Sequence, residues 1–73
     1  MQRYERTRGT LLHAFTRLHE DGLLRDGVDP VAAARSTIAV MDGLQVQWLL
    51  DRSLLDMAEE LRTFLRQLVV IEL

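Results

Sequence analysis

Apolar residues recur every three or four positions along three stretches of the chain, and two punctuated gaps separate them. In the first stretch, about 2–21, Tyr4, Leu11, Ala14, Phe15 and Leu18 fall on one stripe, the pattern of an amphipathic helix. Gly22 is suited to the left-handed turn that closes a helix, and Leu23 to packing back on the last turn; a loop through Gly27 to Val28 follows. Asp29-Pro30 predicts a sharp restart, because the aspartate can accept from the free amides of a first turn and proline at the first helical position loses no bond.

The second helix, about 30–50, is apolar on more than one side. Ala34, Ile38, Met41, Leu44 and Trp48 form a bulky arc, and Ser36, Ala39, Gly43 and Val46 a smaller one behind it. A helix buried on two sides needs two neighbours. Ser53 with Asp56 reads as a capping box with a short acid, restarting the chain after a tight turn at Asp51 and Arg52. The third helix, about 54–71, then carries a wide stripe of Leu54, Met57, Ala58, Leu61, Phe64, Leu65, Leu68 and Ile71, opposed by Glu59, Glu60, Arg62, Thr63, Arg66 and Gln67. No strand alternation or internal repeat interrupts the pattern, so the expected fold class is all-α with three helices.

Composition narrows the function. With 73 residues and no cysteine, one copy must draw its stability from helix packing or from association, and a reducing, cytoplasmic setting is expected. Hydrophobic residues at 48% against 27% charged argue for a folded chain. The basic residues are all arginines, scattered from Arg3 to Arg66, and the net charge is -2, which is no electrostatic footprint for nucleic acid. The longest apolar runs, such as Val31 to Ala34 and Leu68 to Ile71, fall far short of the roughly 20 residues that span a bilayer. The first residues are charged and polar, unlike a secretory signal.

Catalytic and metal chemistry find little support. His13 and His19 stand about 120° apart on a helix at six residues' separation, so they do not converge as ligands. Glu20, Asp21 and Asp26 lack the alternation and closing glutamate of a calcium loop. Glu59 and Glu60 sit on a polar face early in a helix, where they complement its dipole. No enzyme activity, cofactor or metal is expected.

The segment from Met41 to Asp51 is the most informative. Gly43 inside a helix costs about 0.5 to 1 kcal/mol against alanine and suits a close backbone approach, together with Ala39, either within one subunit or across a two-fold axis. Gln45 lies among bulky residues, where its amide needs a partner; a bond to a neighbouring helix is favoured over contact with an effector. Trp48 suits a core, an interface or a ligand pocket equally well.

Asp29-Pro30 with Ala32-Ala33-Ala34, then Asp42-Gly43-Leu44-Gln45-Val46-Gln47-Trp48-Leu49-Leu50-Asp51, then Asp56-Met57 and Leu61 to Leu68, resemble the last three helices of TetR-family transcriptional regulators. The resemblance runs from about Tyr4 to Leu68. It implies a C-terminal regulatory and dimerisation domain over 1–73, whose last two helices form an antiparallel hairpin that pairs with a second subunit as a four-helix bundle. It also implies a small apolar effector. The family's helix-turn-helix and the helices that would complete its pocket have no counterpart here, so the chain alone is not expected to read an operator.

The two lines of reasoning meet in a homodimer, which would supply burial that a chain this short lacks. The expected dimer face is Ala39, Gly43, Val46 and Gln47 on the second helix with Leu61, Phe64, Leu65 and Leu68 on the third. Leu12, Phe15, Met41, Gln45 and Trp48 are the residues expected to face an effector. The alternative is a stand-alone helical oligomerisation module without ligand.

Overall fold

The computed structural model describes residues 2–53 and 56–73, and its regular elements are three helices: α1 (Gln2–Glu20), α2 (Pro30–Leu50) and α3 (Met57–Arg66). Leu54, expected at the start of the third helix, lies outside the described residues, as does the side chain of Tyr4.

Local chemistry explains most of the boundaries. α1 ends in a paired-bond C-cap: Leu23 N–H donates to Leu18 O at 2.9 Å and Gly22 N–H to His19 O at 3.1 Å, with Gly22 at φ 72°. α2 begins at Asp29, whose carboxylate accepts from Ala32 N–H at 2.9 Å while Pro30 opens the first turn. Asp29→Ala is expected to lower stability by about 1 kcal/mol, read from the urea midpoint at fixed chain concentration. An unchanged midpoint would mean that Pro30 alone fixes this start.

α3 departs from expectation at both ends. Its N-cap is Asp56, accepting from Glu59 N–H at 3.1 Å. Ser53, expected in a capping box, instead turns back to Asp51, its hydroxyl and amide both donating to Asp51 Oδ1 at 2.6 and 2.9 Å. The helix stops at Arg66 rather than near Ile71, because a long-range pairing outcompetes further helical turns. Arg25 N–H donates to Leu68 O and Val70 N–H to Leu23 O, both at 2.9 Å, making an antiparallel bridge between Leu24 and Val69. The β-branched run Val69-Val70-Ile71 suits that extended geometry.

The core gathers at this bridge. Phe15, Leu24, Ala33, Ala34 and Val69 are buried together, with Leu11, Leu18, Val28, Leu65 and Leu68 packed around them. Ala33 and Ala34 present little bulk, which lets α1 lie close against α2. Thr37 is buried beside them and satisfies its hydroxyl by donating to Ala33 O at 2.8 Å.

The molecule is a slab of 38 × 30 × 15 Å, thin for its length. Its radius of gyration is 13.1 Å where a compact chain of this length is expected near roughly 11 Å. Its accessible surface is 5569 Å², whereas a compact monomer of 8.4 kDa exposes roughly 4,600 Å².

Candidate interaction surface and groove

α2 has two apolar sides, and one is covered only in part. The buried residues of this helix, Ala33, Ala34, Thr37 and Ile38, all lie in its first half. The same side continues through Met41, Leu44, Gln45 and Trp48, by the three-and-four spacing of a helix face. There it meets α3 across a groove of about 280 Å³ lined by Met41, Asp42, Leu44 and Gln45 from α2 and by Met57, Ala58 and Leu61 from α3. Beyond the groove Trp48 is half-buried, and the Arg52 guanidinium sits 4.5 Å from its ring centroid, a cation–π contact at the end of the helix.

The opposite side of α2 is bare. Ala39, Gly43, Val46 and Leu50, at i, i+4, i+7 and i+11, form one exposed stripe, flanked by Leu49. Val46 is 56% exposed, Leu49 60% and Leu50 79%. A Cβ added at Gly43 would meet nothing within 4 Å, so among the described residues no neighbour accounts for a glycine there.

The residues singled out from the sequence separate accordingly. Of the expected dimer face, Ala39, Gly43, Val46 and Gln47 are exposed. Leu61, Phe64, Leu65 and Leu68 are half-buried, with Leu61 in the groove and Leu65 and Leu68 against the core. Of the expected effector set, Met41 and Gln45 come together in the groove, Phe15 is 4% exposed within the core, and Leu12 and Trp48 lie outside the groove lining. Asp42, Leu44, Met57 and Ala58 also line the groove and belong to neither expected set, and Leu61, expected at the dimer face, completes it. Their helical stripes are visible in the sequence, but which arcs would face each other is not.

Charge is sparse around both surfaces. Asp51, at the end of α2, has its carboxyl held below the ordinary value of 3.8, chiefly by the Ser53 hydroxyl and then by the Ser53 amide. Arg25 and Arg66 line a second hollow of about 560 Å³ with Val70, Ile71, Glu72 and Leu73. Both guanidiniums are already engaged there: Arg25 donates twice to Arg66 O at 3.1 Å, and Arg66 to Leu73 O at 3.2 and 2.9 Å. Among the described residues no group of three acidic, histidine or cysteine side chains could hold a metal ion, and no helix is long and apolar enough to cross a membrane.

This is an all-helical unit whose apolar surface is arranged around α2. Matched against family models, residues 1–71 fit the one described as BetI-type transcriptional repressor, C-terminal, and the chain belongs to that family of TetR-type repressor C-terminal domains. No curated protein and no solved structure matches it.

Proposed function

We propose that this repressor domain joins two copies of the chain through the bare side of α2, and that the groove between α2 and α3 takes a small apolar effector. The observation that carries the first half is area. The surface exceeds that of a compact monomer by roughly 950 Å². Burying that excess on each of two copies would make an interface of roughly 1,900 Å², the size at which specific dimers are stable. The stripe of Ala39, Gly43, Val46 and Leu50 supplies the apolar centre such an interface needs, with glycine and alanine allowing a close helix crossing. In the completed assembly α2 and α3 form a hairpin that packs on the same hairpin of the partner as a four-helix bundle.

The effector half is supported by the groove itself. Its walls are apolar apart from Asp42 and Gln45, and Gln45 would fix the orientation of a ligand held by methionine and leucine. A ligand-free oligomerisation module is favoured by one fact, that Phe15 fills the core instead of facing the groove. The two readings divide on the fluorescence of Trp48, the single tryptophan. A change on titration with a panel of small apolar compounds supports sensing, and silence across the panel supports the module.

The association is tested by sedimentation velocity over a dilution series. Dimer mass down to micromolar concentration is expected. A folded monomer at that concentration would leave the exposed stripe without its proposed purpose.

A further inference from the structure

The two ends of α3 are held in different ways. At its C-terminal end, Arg25 N–H bonds Leu68 O and Val70 N–H bonds Leu23 O, both at 2.9 Å. The Arg25 guanidinium caps the helix with two bonds of 3.1 Å to Arg66 O. Between these ties Leu24 and Val69 are buried in the core, Val69 at 3% exposure. This end is clasped to the loop between α1 and α2 by main-chain bonds, a guanidinium and apolar packing at once.

At the N-terminal end no main-chain bond to another element is made among the described residues. Its polar contacts are local, Asp56 accepting from Glu59 N–H at 3.1 Å and Glu60 N–H donating to Asp56 O at 3.0 Å. Among the described residues no hydrogen bond or ion pair joins α2 to α3. What separates them there is the groove of about 280 Å³, with Met41 on one wall and Met57 on the other. Methionine adapts its shape cheaply, so a gap faced by methionines changes width at less cost than one faced by branched side chains.

We propose that α3 is a lever that pivots on its C-terminal clasp, opening and closing the groove at its other end. The helix has ten residues, so at about 1.5 Å each it is an arm of roughly 15 Å. A tilt of about 10° at the clasp therefore moves the far end about 2.6 Å, enough to admit or expel a methyl-sized group. The motion carries Leu61 with it and leaves Val69 in place, so the groove responds without disturbing the core. The pivot holds whether or not the groove takes an effector, and it goes beyond that reading by naming the moving part.

The chain has no cysteine, so introduced pairs are unique labelling sites. Spin labels at Asp42→Cys with Ala58→Cys span the groove, and at Asp26→Cys with Gln67→Cys span the clasp; all four positions are exposed. Labelled chain is diluted into excess unlabelled chain, so that labels in different copies do not meet. Pulsed dipolar spectroscopy is expected to give a broad distance distribution across the groove and a narrow one across the clasp. Equally narrow distributions, or a clasp broader than the groove, overturn the pivot. A second measurement needs no substitution: methyl relaxation dispersion is expected to show microsecond-to-millisecond exchange at Met41 and Met57 and none at Leu24 and Val69. Flat profiles at both methionines, or exchange equal at all four residues, overturn it as well.

Discussion

Val46→Glu is expected to leave the chain folded and make it monomeric. Val46 is 56% exposed in the single copy, so the substitution removes little packing there and puts a charge where water already reaches. In a symmetric dimer the same change occurs twice, once on each side of the axis. Each copy loses about 0.8 kcal/mol, the burial of the half of the valine that is still exposed, and each glutamate must be desolvated without a partner or shift its titration. Together these exceed about 4 kcal/mol, which weakens association by about a thousandfold or more. Sedimentation velocity reads this directly, with helicity by circular dichroism as the control for folding. Gly43→Leu gives an independent check, since the leucine finds open space in the single copy but stands where a partner helix would approach. If both variants keep the dimer mass of the parent chain, the stripe on α2 is not the interface, and the half-buried stripe of α3 becomes the surface to probe.

How legible this was depends on whether the deciding physics is local. The start of α2 at Asp29-Pro30 and the stop of α1 at Gly22 follow from the side chain of one residue and the φ of another, and both can be read off the sequence. The two apolar sides of α2 were legible for the same reason, since helical spacing alone places Ala39, Gly43 and Val46 opposite Met41, Leu44 and Trp48. The end of α3 was not. Leu65, Leu68 and Ile71 continue the helical stripe, and nothing near them in sequence reveals that Arg25 and Leu23 will offer main-chain bonds that draw Leu68 to Val70 out of it. The groove lay between these cases. Met41 and Gln45 were identified from their own helix, whereas Met57 and Ala58 depend on which turn of α3 meets which turn of α2, a matter of tertiary packing.

Phe15 separates core from site most sharply. On helical spacing it shares the stripe of Leu11 and Leu18, which serves a core and a ligand space equally well, but the structure buries it against Leu24, Ala33, Ala34 and Val69. Phe15→Ala is therefore expected to cost about 3–5 kcal/mol, the loss of a buried aromatic together with the cavity it leaves. A chain of 73 residues has a total stability of roughly 4–11 kcal/mol, so the variant should lie at the edge of unfolding at room temperature. The urea midpoint, compared at one fixed chain concentration because association contributes to apparent stability, is the measurement. A ligand-facing phenylalanine would behave in the opposite way: the midpoint would barely move and any effector response of Trp48 would be lost. Leu12→Ala one turn earlier is the natural comparison, since Leu12 is 37% exposed and outside the buried cluster, so its truncation should cost about 1 kcal/mol. A large gap between the two variants places Phe15 in the core that positions α2. Near-equal small effects would mean that α1 is held by something other than the Phe15 cluster, and the clasp of Leu24 on Val69 would then be the first contact to remove.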